Sequence, residues 1–163
     1  MKILGITVSS NLSFTIHIAN VVNKCNKIFY MLRIMKLYNM PQESCIDIFN
    51  SLIISQITYG ISTWYGFSKE HDNKRIRKII RRGLKLGYLK TELDLDAIVE
   101  SRSKSLFKKI MKNSWYVLHK LLPPVKETTY DLRQIGHGLT LPSLNTPYDT
   151  RNFILHMLYK MTI

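Results

Sequence analysis

Acidic side chains are scarce in this chain, and none precedes Glu43. Eleven Asp and Glu residues stand against 24 Lys and Arg, a formal net charge of +13 over 163 residues. Such a balance is unusual for a metabolic enzyme and favours a polyanionic partner, either nucleic acid or an acidic membrane surface. Cysteine is almost missing. Cys25 and Cys45 cannot make a zinc site by themselves and do not form a secreted disulfide framework. With five prolines and seven glycines, low-complexity and fibrous architectures are excluded. No stretch reaches the roughly 18 uninterrupted apolar residues of a membrane span, and residues 1–13 carry neither the apolar core nor the cleavage site of a signal peptide. The expectation is an intracellular, reducing environment, nucleus or cytoplasm, with no transmembrane segment.

Catalytic signatures are also lacking. The five histidines, His17, His71, His119, His137 and His156, are scattered. HExxH and HxD do not occur, nor does HxE with paired cysteines, so zinc hydrolysis and iron-dioxygenase chemistry lack their ligand spacing. GxGxxG, GxxxxGK[ST] and GxSxG are absent as well. The one close carboxylate pair, Asp94 and Asp96, could hold a divalent ion, but a helix N-cap with favourable dipole charge explains it more simply. No catalytic residue, metal ligand or cofactor is assigned to this chain.

What is present is 45% hydrophobic and 21% charged, enough for one core or two small ones. Ile3, Leu4, Ile6 and Val8 form a short strand pattern before the Ser9-Ser10-Asn11 turn signal. A strand must bond its backbone to a partner, and no equally convincing strand follows. Ser13 is placed to cap a long helix to about Leu37, with Ile18, Val21, Val22, Cys25, Phe29, Leu32 and Met35 on one apolar stripe. Asn39-Met40-Pro41 stops and restarts the chain. A second helix to about Tyr59, apolar round much of its circumference, is expected to be central, with Gly60 closing it. A third runs from a Ser68 cap to about Gly87, and residues 88–95 are a linker. A fourth spans about 96–112. A short helical piece around Trp115 to Leu121 ends at Pro123-Pro124. The pattern weakens over 125–147, Gly136-His137-Gly138 being a turn, and a terminal amphipathic segment covers Phe153–Met161.

The third helix carries the strongest signal. Ile76, Ile79, Ile80 and Leu84 make a narrow stripe, and Lys74, Arg75, Arg77, Lys78, Arg81, Arg82 and Lys85 occupy nearly everything else. Most charge runs are solvated faces, but acidic partners at i±4 are almost lacking here. A phosphate-tracking surface is the favoured reading. If roughly four to six of these cations touch phosphate, the salt slope is about −3 to −5. Tyr30, Tyr38, Tyr59, Trp64, Tyr65 and Tyr88 are candidate stacking surfaces, although Trp64 is better placed in the core.

The segment "KILGITVSSNLSFTIHIANVVNKCNKIFYMLRIMK" followed by "IFNSLIISQITYGISTWYG" resembles the end of the palm and the thumb of non-LTR (LINE-type) retrotransposon reverse transcriptases. In that family a strand with a Leu-Gly pair, matched by Leu4 and Gly5, helps to seat the primer end. An "SF…HI" element follows, matched by Ser13, Phe14, His17 and Ile18, then a basic amphipathic helix. A helix ending in Tyr-Gly with a Trp a few residues on is matched by Tyr59, Gly60 and Trp64. "LHKLLPP" (Leu118 to Pro124) and "LPSLNT" (Leu141 to Thr146) resemble the post-thumb region more loosely.

The resemblance implies a mainly α fold, a helical thumb-like bundle with a short N-terminal β-strand left over from a palm sheet. It divides the chain into a palm-end strand and turn (1–12), a thumb-like bundle with a basic third helix (13–87) and a post-thumb region (88–163). The strand's partners would belong to the absent palm. The catalytic carboxylates, which hold the two metal ions of nucleotidyl transfer, are not in the chain, so magnesium would be required by the parent polymerase and not by this piece. The inherited role is a sequence-indifferent grip on RNA or RNA–DNA template–primer. Lys24, Lys27, Arg75, Lys78, Arg81 and Arg82 are the expected phosphate contacts, Leu4 and Gly5 lie near the primer, and Tyr59, Gly60 and Trp64 serve packing. The segment is also similar to the N-terminal part of AlkB-homologue-type tRNA-modifying dioxygenases, but it lacks that chemistry's iron-ligand spacing. A different class of function stays open: a helical module that docks on a protein or an acidic membrane.

Overall fold

A computed structural model of the chain describes residues 1–126, 137–145, 149 and 152–161. It is mainly helical, with a short two-stranded antiparallel sheet at its start. Contacts divide it into two compact units, Met1–Val99 and Glu100–Ile163. Gly136 and Thr146 lie outside the described residues.

The first strand pattern finds its partner locally. β1 (Lys2–Ile3) and β2 (Ile6–Thr7) pair antiparallel, Lys2 opposite Thr7 and Ile3 opposite Ile6. The two intervening residues, Leu4 (φ 45°) and Gly5 (φ 86°), are both left-handed, the requirement of a type I′ hairpin turn whose twist matches the strands it joins. A single strand awaiting an outside sheet is therefore not what forms. The Leu-Gly pair that looked like part of a strand is the turn that folds it back.

α1 (Thr15–Leu37) follows the expected bounds. The cap position is Phe14, with no side-chain cap, one residue after the expected Ser13, whose Oγ instead accepts from the Thr15 amide at 3.3 Å. Its expected stripe is buried except at Met35, which is half-buried. Asn39 at φ 60° ends the helix, its amide bonding Lys36 O while that of Met40 bonds Met35 O, both at 3.1 Å, the paired closure of a left-handed C-terminal cap.

α2 (Gln42–Ile48) continues through a π-helical stretch, Phe49–Ile54, into α3 (Ser55–Thr58). Cys45, Phe49, Ile53 and Ile57 are fully buried, but Leu52 is exposed. The central element is instead α1, which packs against α2, the π-helical stretch, α3, β2 and α5. A long stripe lets one helix touch all of these, whereas the chain from Gln42 to Thr58 keeps one side in solvent.

α4 (Ile61–Trp64) and a 3-10 turn, Tyr65–Phe67, lead to α5 (Glu70–Lys85). Ser68 sits one residue before the N-cap, Lys69, with Oγ 2.5 Å from Tyr65 O and 2.6 Å from Asn73 Oδ1. α5 ends at Gly87 (φ 73°), whose amide bonds Leu84 O while Tyr88 N bonds Gly83 O. Gly83 is where Phe49 presses on α5, since a Cβ there would overlap the Phe49 ring. Tyr88 stacks on that ring at 5.6 Å between centroids. Residues 88–94 form no helix or strand, yet they are no free tether, because Tyr88 is buried in the first core together with Leu95.

α6 (Leu95–Lys112) crosses from the first unit into the second. In the second unit Phe107 clusters with Ile154, Met157 and Leu158 of α7 (Phe153–Lys160). Asn152 caps α7 by accepting from the Ile154 amide at 3.0 Å. Val125 and Leu139 form an antiparallel bridge. The 3-10 turn Val117–Leu121 departs from the amphipathic expectation: Trp115, Val117 and Leu121 are exposed, and only Leu118 and Leu122 lean on the core. Among the described residues no helix is long and apolar enough to cross a membrane.

Candidate functional site

The hairpin is held against α1 and the α3–α4 corner by the residues singled out with it in sequence. Tyr59 Oη donates to Leu4 O at 2.8 Å, so this half-exposed tyrosine clamps the hairpin tip and is not core packing. Gly60 adopts φ 56°, which favours glycine, and a Cβ there would come 2.7 Å from the Ile6 Cδ1 methyl, which would have to shift. Trp64 is fully buried and donates from Nε1 to Tyr59 O at 3.1 Å. His17, also buried, sets its ring edge-on to Trp64 at 5.7 Å and accepts the Thr7 amide at Nδ1, 3.5 Å away. Burial, and secondarily the charge of Lys24, lowers the His17 pKa below 6.5, favouring the neutral ring.

Between hairpin and helix lies a pocket of about 380 Å³, lined by Lys2, Gly5, Thr7, His17, Asn20, Val21, Asn23, Lys24, Lys27 and Gln56. Among the described residues no carboxylate lines it. Asn20, Asn23, Lys24 and Lys27 recur at i, i+3, i+4 and i+7, which puts them on one side of α1. Among the described residues Lys24 and Lys27 make no ion pair, and the amides of Asn20, Asn23 and Gln56 make no side-chain hydrogen bond to protein. Cations and amide donors converging without a countercharge suit a phosphate oxygen. Of the expected site residues the structure thus brings together Gly5, Lys24 and Lys27. Leu4 stands at the exposed hairpin tip. Lys2, Asn20, Asn23 and Gln56 were missed in sequence. The polar i, i+3, i+4, i+7 run was visible for two of them, but Lys2 and Gln56 come from other elements.

The remaining expected contacts lie on α5 and divide by face. Arg75, Lys78 and Arg82, at i, i+3 and i+7, share one side. Arg75 reaches the fully buried Asp72 at 3.5 Å, which also accepts from Thr15 Oγ1 at 2.9 Å. The guanidinium of Arg82 lies over the Phe29 ring, 4.4 Å from its centroid. Among the described residues Lys78 has no ion pair. On the other side Arg81 pairs with Glu92 at 3.2 Å. Arg77 bridges Glu70 at 2.9 Å and Asp96 at 3.1 Å and donates to Tyr65 Oη at 3.1 Å. Tyr65 in turn donates to Asp96 at 2.7 Å, and burial together with that acceptor pushes its hydroxyl up to about 12.

The apparent lack of countercharge on this helix is therefore corrected. Its acidic partners stand at i−3 and i−7 and across the α5–α6 connection, where an i±4 search does not look. Arg81, with its exposed pair, is the weakest of the expected contacts, although such pairs contribute only about 0–1 kcal/mol and a phosphate competes for them. Asp94 caps α6, accepting the Asp96 amide at 2.9 Å and that of Ala97 at 3.2 Å. With Asp96 held by Arg77 and Tyr65, both carboxylates have structural work. Among the described residues no group of three or more His, Cys, Asp or Glu side chains is placed to hold a metal ion.

The chain matches no protein-family model, no curated protein and no solved structure. What the fold and site define is a class: a mainly helical protein with an N-terminal hairpin and a basic, carboxylate-free recess beside it.

Proposed function

We propose that this chain grips the phosphate backbone of an RNA or RNA–DNA template–primer, as the non-catalytic palm-end and thumb part of a retrotransposon-type RNA-directed DNA polymerase. The observation that carries this reading is the recess joining Gly5 of the hairpin turn to Lys24 and Lys27. Gly5, of the Leu-Gly pair assigned to the primer end, lines the same recess as the cations assigned to its phosphates, and Tyr59 ties the neighbouring Leu4 carbonyl at the hairpin tip. Arg75, Lys78 and Arg82 supply a second line of charge on α5. No bond-making step is assigned to these residues; magnesium and the catalytic carboxylates would belong to the parent polymerase, together with its palm and fingers.

The test is retention of an RNA–DNA hybrid by the full chain across a salt series. Lys24→Gln with Lys27→Gln should flatten the slope of log K on log salt by about 2, and Arg75→Gln, Lys78→Gln and Arg82→Gln together by about 3. Unchanged slopes in both sets would remove the reading. A second reading, docking on a protein or an acidic membrane, is favoured by Tyr30 and Leu37, exposed at i and i+7 of α1 beside the equally bare Tyr38. Co-sedimentation with anionic vesicles and no hybrid retention is its signature.

A further inference from the structure

The end of α6 carries a feature that the grip in the first unit does not use. Lys108, Lys109 and Lys112 converge with Ser105, Asn113 and Tyr116 on a pocket of about 360 Å³. Among the described residues none of the three lysines makes an ion pair, whereas Lys104, one turn earlier, is neutralised by Glu100 at 2.9 Å. Beyond them the backbone is pinned in a tight turn: Asn113 Oδ1 accepts the Trp115 amide and Asn113 O that of Tyr116, both at 3.0 Å. This turn presents Trp115 93% exposed, the most exposed aromatic side chain among the described residues, with Tyr116 beside it at 37%. A tryptophan held this bare by an ordered turn gains nothing for the core of its unit. Tyr116 lines the pocket with the lysines, and Trp115 precedes it in the turn without lining that pocket; aromatic rings and unneutralised lysines on a positively charged chain are the pairing that binds single-stranded nucleic acid, bases stacking on the rings and phosphates meeting the ammonium groups.

We propose that Lys108, Lys109, Lys112, Trp115 and Tyr116 form a single-strand nucleic-acid site, separate from the backbone grip of the first unit. Stacking is sequence-tolerant because every base has a π-face, so the site selects unpaired over paired strands and not one base over another.

The chain's two tryptophans make the test direct. Trp64 is fully buried and Trp115 almost fully exposed, so quenching by an added strand reports Trp115. Titrating the full chain with oligo-deoxythymidine of about 16 nucleotides should quench the exposed emission, while a duplex of the same length quenches little. Trp115→Phe should leave an emission that the strand does not change, and Trp115→Ala should weaken binding on the order of tenfold. Lys108→Gln, Lys109→Gln and Lys112→Gln together should flatten the salt slope by about 2. Lys24→Gln with Lys27→Gln should leave the quenching intact, which separates this site from the proposed hybrid grip. Absence of quenching, equal quenching by duplex, or quenching and affinity unaltered in the triple lysine variant would overturn the proposal. So would a blue shift of Trp115 on phosphatidylserine vesicles without any response to the oligonucleotide.

Discussion

Two side chains decide how the hairpin meets the bundle, and neither is a charge. Gly60 holds a left-handed backbone and admits Ile6 where a methyl would stand. Gly60→Ala should therefore cost about 1–2 kcal/mol, mainly the left-handed backbone penalty, since the Ile6 methyl can shift aside, seen as a lower urea midpoint. Gly66→Ala, with nothing within 4 Å of the new Cβ, should stay within about 0.5 kcal/mol. His17 makes stability depend on pH with a definite sign. Its folded pKa lies below the unfolded 6.5, so the unfolded chain binds the proton more readily. The contribution of His17 is complete above 6.5 and is lost as pH falls from there through the folded value. Urea midpoints taken on either side of 6.5 should drop on the acid side, and His17→Gln should shrink that drop.

At the scale of elements, the helices were legible because burial imposes a 3.6-residue period over many turns. The stripe from Ile18 to Leu32 is such a pattern, and α1 came out where it pointed. The hairpin was not legible, since two strands of two residues each are too short to alternate, and Leu4 in a left-handed turn contradicts its own preference. What holds that turn is Tyr59, 55 positions away. Tyr59→Phe keeps the ring and deletes the hydrogen bond, a loss of about 0.5–1.5 kcal/mol. The expected outcome is faster hydrogen exchange at the β2 amides with little change in the α1 core, read residue by residue by NMR. The basic face of α5 was legible as composition and only half legible as function. Which cations are spoken for depends on Asp72, Glu92 and Asp96, whose positions follow from how α5 meets α1 and α6, not from spacing along one helix.

Over the whole molecule the two units have unequal means of holding themselves together. The first buries a continuous core from Ile6 to Leu95 that includes Trp64, Phe49 and Tyr88. Among the described residues the second clusters Phe107, Ile154, Met157 and Leu158, joined by polar ties such as His119 Nδ1 to Ile110 O at 2.8 Å and Tyr159 Oη to Pro142 O at 2.6 Å. Hydrophobic stabilisation scales with the apolar area buried, so on the described residues the second core is the one expected to open first. Because α6 belongs to both units, its later turns should melt with the second while its start stays with the first, where Leu95 is buried. Trp64 emission follows only the first unit; far-UV circular dichroism sums both. In a urea titration of Trp115→Phe, which leaves Trp64 as the sole tryptophan, ellipticity should begin to fall at lower denaturant than the emission changes. Coincident transitions would mean that the helix shared between the cores makes them one cooperative body.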